Sequence, residues 1–226
     1  SELGNFPTDV YVSARVAEMH GVELRCVAPE AVATAIADAG AEFALVHLTH
    51  VNYKTGLVYD MNAITAAAHA AGGLAIWDLA HSAGTLAVDL TAANADFAVG
   101  CGYKYLNGGP GAPAFVYAAK RHHSEIYQPI AGWHGHAKPF AFGHDYQPDP
   151  GIARMLTGTA SQLGLIALET ALSVFGDVDM AVLQAKGVAL GDLFIRLADQ
   201  ELATHGFGLA SPRDGARRGS QVSLTH

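Results

Sequence analysis

Residues 96–113 read DFAVGCGYKYLNGGPGAP. The apolar run Phe97–Val99 predicts a short buried strand. It leads into Gly-Cys-Gly, then Tyr103-Lys104-Tyr105, then Asn-Gly-Gly-Pro-Gly-Ala-Pro, and a second apolar run, Ala114–Tyr117, follows. One lysine therefore sits on a glycine-rich bend between two strands. Glycine tolerates positive φ and lets a bulky ligand approach the backbone closely. A lysine among apolar neighbours can lose its proton near neutral pH, which an amine that attacks a carbonyl requires. The commoner fate of a single lysine is a solvated turn, so the reading depends on what surrounds this one.

Upstream, Leu74–Trp77 predicts another strand, with Asp78 at its C-terminal end and His81 three residues on. Phe43–Leu48 predicts a further strand that runs into the polar loop Thr49–Gly56. Between these strands lies a helix over Asn62–Ala71, closed by Gly72-Gly73. Towards the N-terminus the loop GNFPTD at 4–9 precedes a helix over Val10–His20 that stops at Gly21. Glu23–Val27 reads as a strand, and Pro29–Ala39 as a helix with proline near its start and Gly40 at its end. Strands alternating with helices predict an α/β fold, a mostly parallel sheet with helices on both faces. In such sheets ligands bind beyond the carboxyl ends of the strands, where Thr49, Asp78 and Lys104 fall.

Downstream, residues 118–160 carry Pro, Gly, His and aromatics with little periodicity, which marks a functional or interface loop. Helical spacing returns over Ser161–Phe175 and Val178–Leu202, and His205-Gly206 starts a new unit. Residues 1–204 thus read as one large domain and 205–226 as the beginning of a second.

Half of the 226 residues are hydrophobic and 15% are charged, so a large core is available. A net charge of −8, with Lys and Arg scattered, argues against a nucleic-acid partner. The two cysteines, Cys26 and Cys101, make no disulfide framework and fit a reducing compartment. No apolar run approaches the ~18 residues of a membrane span, and the first residues lack a signal pattern. The expectation is a soluble cytoplasmic protein with no membrane partner and no metal.

Singly, Asp78 could cap a helix and His81 could be a packed histidine. Together, strand–Asp–x–x–His followed by a lysine in a glycine-rich bend meets a specific demand. Pyridoxal 5'-phosphate (PLP) needs a lysine for its aldehyde and an acid for its ring nitrogen. The pattern is similar to that of fold-type I PLP enzymes, the class-V aminotransferase-like group. The fuller strings resemble the kynureninase family: NFPTD at 5–9, WDLAHSAG at 77–84, GYKYLNGGPGAPAFVY at 102–117, GWHGH at 132–136, RMLTGT at 154–159 and RRGSQVSL at 217–224.

That resemblance implies a role for each matching position. Lys104 would hold PLP covalently and later carry a proton at the substrate Cα. Asp78 would pair with the ring nitrogen, and His81 would contact the cofactor nearby. Tyr103 would hydrogen-bond the phosphate and relay a proton. Phe6 would lie against the ring, Asp9 would help position it, and Thr49 would contact the ring or its hydroxyl edge. Trp133 and Thr159 would reach the phosphate or substrate region, from a neighbouring subunit of a homodimer. As simpler readings, Phe6 and Trp133 are core or interface aromatics and Thr159 is a helix cap. The implied reaction is hydrolysis of L-kynurenine, with its 3-hydroxy analogue as a possible second substrate, to anthranilate and L-alanine in tryptophan degradation and NAD biosynthesis. The resemblance also implies an N-terminal phosphate cradle and a C-terminal domain with a carboxylate-binding arginine, both outside Ser1–His226, so that these residues would be the middle of a longer protein. Two alternatives stand beside it. One is another fold-type I enzyme such as a β-lyase or a cysteine desulfurase, which would need a mobile catalytic cysteine. The other is a non-catalytic fragment of such an enzyme.

Overall fold

A computed structural model describes residues 1–226. Four short strands form the central sheet: β1 (Leu45–Thr49), β2 (Leu74–Asp78), β3 (Phe97–Cys101) and β4 (Ala114–Ala118). They lie in the order β1-β2-β3-β4. The first three run parallel, and β4 returns antiparallel to β3. Thr49 pairs with Asp78, and Asp78 with Val99, so the strand ends are aligned at the carboxyl edge.

Alternation along the strands sorts side chains onto two faces. Val46, Leu48, Ala75, Trp77 and Ala98 point to one face and are buried. Helices α2 (Val32–Ala39) and α3 (Met61–Ala70) cover it with Val32, Ile36, Met61, Ile64 and Ala68. The buried Trp77 satisfies its indole N–H by donating to Thr65 Oγ1 on α3, 3.0 Å away. His47 alternates with Val46 and Leu48 and so faces the other side. There it meets α1 (Pro7–His20), whose Ser13 Oγ is 2.9 Å from His47 Nδ1. Helices therefore lie on both faces, as the alternating pattern predicts.

Local signals explain the helix ends. Gly21 terminates α1 with φ 64°, a left-handed conformation that glycine takes without a Cβ penalty. Asp60 caps α3 by accepting from Ala63 N, and Ser161 caps α4 (Gln162–Leu172) by accepting from Gly164 N. Asp179 caps α5 (Met180–Glu201) through the amides of Ala181 and Val182.

The strand expected over Glu23–Val27 does not form. Its one ladder contact is a bridge between Val27 and Glu2, and Glu23 and Arg25 pair with each other in solvent. Val27 finds backbone partners there, in Ser1 and Leu3, but the hydrogen bonds do not extend into a ladder. Pro29–Ala31 opens as a 3-10 turn before α2. Residues 118–160 are built from 3-10 turns. They are held by the buried Arg154, which donates to the carbonyls of Asp149 and Ile126 at 2.8 and 3.0 Å.

After α5, Gly208–Leu209 (β5) and Leu224–Thr225 (β6) form a two-stranded ribbon. The buried Arg218 ties this stretch to α5 through Asp192 and caps the carbonyls of Pro212 and Arg213, both at 2.9 Å. Gln221 Nε2 donates to the Tyr53 carbonyl at 2.7 Å, so the C-terminal stretch also touches the loop after β1. No helix is long and apolar enough to cross a membrane.

Candidate active site

The site forms where β1, β2 and β3 end. Asp78 is the last residue of β2, and its carboxylate accepts from Ala80 N at 2.8 Å. That bond starts a compact turn which carries His81 over the sheet edge. Beyond β3, the lysine loop is closed by Gly102 N donating to the Pro113 carbonyl (3.0 Å) and Gly108 N to the Gly102 carbonyl (2.9 Å). The two loops meet at Gly84, whose φ is 92°. A Cβ there would lie 2.4 Å from the Tyr105 carbonyl oxygen, so only glycine permits this approach.

The result is a cluster around Lys104. Its Nζ lies 3.3 Å from His81 Nε2. It lies 5.6 Å from the Phe6 ring centroid and 5.7 Å from that of Tyr103. Phe6 precedes α1 and is braced edge-on by Tyr53 at 5.1 Å. Asp9, in the first turn of the same helix, joins Asp78 as a second carboxyl group.

Burial governs the electrostatics. It pushes the Asp9 carboxyl up to about 7, with the neighbouring Asp78 adding to the rise and Lys104 opposing it. Burial also raises Asp78, against the Ala80 amide and the Lys104 charge. His81 is lowered to about 4, first by burial and then by Lys104. It is therefore a neutral imidazole at physiological pH, able to accept from Nζ. Two desolvated carboxyl groups beside one lysine would be stabilised by a further cationic group nearby.

Lys104, Tyr103, His81, Asp78, Asp9 and Phe6 thus come together in one chain. Thr49 stands next to Asp78 in register, but its hydroxyl is buried and donates to the Val51 carbonyl at 2.8 Å. Trp133 and Thr159 do not join the cluster. Trp133 packs with His134, Phe140 and Phe142, and Thr159 is exposed ahead of α4. Cys101 ends β3, held in its ladder, and Cys26 lies in the coil that replaces the expected strand.

Sequence reasoning passed over His47, His50, Gly84 and Tyr105. His50 is buried with its ring edge-on to Trp77 at 6.0 Å. Tyr105 packs edge-on to His81 at 6.2 Å. The signal for His47 was available: a histidine between Val46 and Leu48 must face opposite to them.

Residues 11–224 match the family model described as aminotransferase class-V. The chain belongs to the class-V aminotransferase family. It is 50% identical to a kynureninase of Pseudomonas fluorescens over 229 residues, covering 100% of this chain and 54% of that protein. A kynureninase of Deinococcus radiodurans is 49% identical over 227 residues, with 100% of this chain and 55% of that protein covered. The chain thus spans about half the length of the curated relatives it matches. Among solved structures, the cystine C-S lyase C-DES in complex with cysteine persulfide superposes with a TM-score of 0.81 at 19% identity, over 99% of this chain and 60% of that one. The cysteine desulfurase CsdA of Escherichia coli gives a TM-score of 0.80 at 19% identity, over 99% and 55%. At that identity the likeness concerns the fold alone, and it agrees with the expected α/β architecture of this class.

Proposed function

We propose that the protein is a PLP-dependent hydrolase that cleaves L-kynurenine to anthranilate and L-alanine, in tryptophan degradation and NAD biosynthesis. The observation that carries the reading is the cluster itself. A lysine amine, a neutral histidine and two burial-stressed carboxyl groups meet at the carboxyl edge of a parallel sheet. The identity of about half to kynureninases over the whole chain favours this chemistry over that of a desulfurase or β-lyase.

The residues present fit the cofactor. Burial raises both Asp9 and Asp78 even with Lys104 beside them, and a protonated ring nitrogen would supply a further cation to offset it. When bound, PLP provides an aldehyde for covalent capture of amines and a ring that takes up electrons. Lys104 would hold it through Nζ, and the same amine is the group placed to carry a proton at the substrate Cα. His81 accepts from Nζ and keeps it aimed over the sheet edge. Asp78 would keep the ring nitrogen protonated, and Asp9 would support it. Phe6 would pack along the ring and exclude water. Tyr103, half exposed beside Nζ, donates to the phosphate and relays a proton towards the departing group. Thr49, paired with Asp78 at the strand ends, would contact the ring or its hydroxyl edge.

Trp133 and Thr159 serve the site from the partner subunit of a homodimer. In support, Trp133 packs with His134, Phe140 and Phe142 in a solvent-facing aromatic group, and Thr159 is exposed. Residues 1–204 belong to the large domain and 205–226 open the small one. We assign the protein to the cytoplasm.

Borohydride reduction of the PLP-loaded protein, followed by peptide mapping, should leave the pyridoxyl mass on the peptide containing Lys104. Label on Lys54 or Lys120 refutes the assignment. Release of anthranilate from L-kynurenine, followed by fluorescence, tests the reaction, and desulfuration of cysteine without that release would favour the alternative.

A further inference from the structure

A row of polar groups runs from α1 through β1 to the site, and the roles above use only its last member, Asp9. Ser13 Oγ lies 2.9 Å from His47 Nδ1. On the other side of the ring, His47 Nε2 faces Asp9 Oδ2 at 3.9 Å. Both of these facing atoms are buried without a hydrogen-bond partner. Buried polar groups left unpaired are costly, so two complementary ones facing each other call for an explanation. Ser13 is one helical turn beyond Asp9, so α1 presents both to the same histidine. Closing the gap by about 1 Å would make an ordinary N–H···O bond.

The surroundings decide where the imidazole hydrogen sits. Burial lowers His47 to about 4. The ring is therefore neutral and carries one N–H. On β2 its register partner is Ile76, which is apolar. Asp9 is the acidic group that α1 turns towards it, and Asp9 in turn meets Asp78 and Lys104. A hydroxyl hydrogen from Ser13 on Nδ1 leaves the imidazole hydrogen on Nε2, aimed at the Asp9 carboxylate.

We propose that His47 is a positioning residue of this site: its Nε2–H, fixed by Ser13, holds the Asp9 carboxylate, and Asp9 fixes the charge on Asp78. Without that donor, Asp9 takes up its proton at higher pH, so less negative charge stands near the ring nitrogen at neutral pH. The inference rests on the assignment of Asp78 as the ring-nitrogen partner, but its test does not need the cofactor.

The PLP-free protein, labelled with ¹⁵N in histidine and ¹³C in the aspartate carboxyl groups, reports both halves by NMR. His47 should show the Nε2–H pattern without titrating between about pH 5 and pH 8. Its signals are assigned by their loss in His47→Gln, and those of Asp9 by their loss in Asp9→Asn. His47→Phe should move the Asp9 midpoint upward by about 1 pH unit. His47→Gln, whose amide can donate, should restore it. Ser13→Ala should mix the two imidazole tautomers, a readout that stands even if His47→Phe fails to fold. A His47 ring that carries its hydrogen on Nδ1, or an Asp9 midpoint that is the same with Phe at 47, would overturn the proposal. Titration of the unaltered protein with PLP is read separately. Failure to bind PLP with the tautomer and midpoint as expected would count against the functional reading and leave the row intact.

Discussion

Asp96 sits just before β3, at the opposite end of the sheet from Lys104, and its side chain is 1% exposed. One oxygen accepts from Ala75 N (2.9 Å) and His69 Nε2 (2.8 Å), the other from Arg121 Nη2 (2.6 Å) and His122 Nε2 (2.8 Å). The end of α3, the start of β2 and the turn after β4 are thereby tied to one carboxylate. Burial alone would raise its pKa, but the hydrogen bonds from His69, His122, Ala75 and Arg121 outweigh it and hold the carboxyl well below the usual range. In Asp96→Asn, an amide NH2 replaces one oxygen and meets two donors whichever way the amide turns. At ~1–3 kcal/mol for each buried group left unpaired, the cost is about 2–6 kcal/mol. Breaking a buried ion pair by removing one partner costs ~3–5 kcal/mol. We therefore expect a loss of about 4 kcal/mol at neutral pH, a large part of the ~5–15 kcal/mol that holds a domain folded. Urea unfolding followed by the fluorescence of the buried Trp77 measures it. Because the folded pKa of Asp96 is depressed, its stabilisation is present above the unfolded pKa of ~4 and is lost as pH falls through the folded value. The gap between the unaltered protein and Asp96→Asn should thus be full at neutral pH and shrink in acid. A loss under about 1 kcal/mol, or a gap that persists unchanged in acid, would refute this account of the cluster.

Two further outcomes concern the site. Gly84→Ala forces the Tyr105 carbonyl away from a Cβ that would otherwise lie at 2.4 Å. A displacement of about 1 Å in the lysine loop should lower anthranilate release ~100-fold, and unchanged kinetics would show that the loops do not need this contact. Asp78→Asn should still take up PLP, seen in its visible absorbance, but lower turnover at least ~100-fold; near-native turnover would remove Asp78 from its assigned role.

Much of the fold was legible because its signals are local. Gly21 ends α1, helical spacing over Ser161–Phe175 marks α4, and the apolar runs expected as strands at 43–48, 74–77 and 97–99 fall on β1, β2 and β3. The strand expected over Glu23–Val27 failed for the complementary reason. A strand needs a neighbour, and apolar content in a short run does not say whether one exists. Likewise the identities of Lys104, Asp78 and His81 could be read from their place at strand ends and in a glycine-rich bend, since both are properties of the chain.

What the sequence by itself determined was therefore a partial inventory: Lys104, Asp78 and His81, and the strand ends and bend at which they stand, but not His47 or Ser13. Only the tertiary structure decided how they interact. It set Asp9 of α1 beside Asp78 of β2, turned His47 and Ser13 towards that pair, and left Trp133 and Thr159 outside it. It also converted burial into charge state, lifting the Asp9 carboxyl to about 7 and lowering His81 to about 4. The physical reason is that desolvation and Coulomb interaction depend on distance through space and on what excludes water. Residues 69 apart in the chain, such as Asp9 and Asp78, have no such relation until the helix is laid against the sheet.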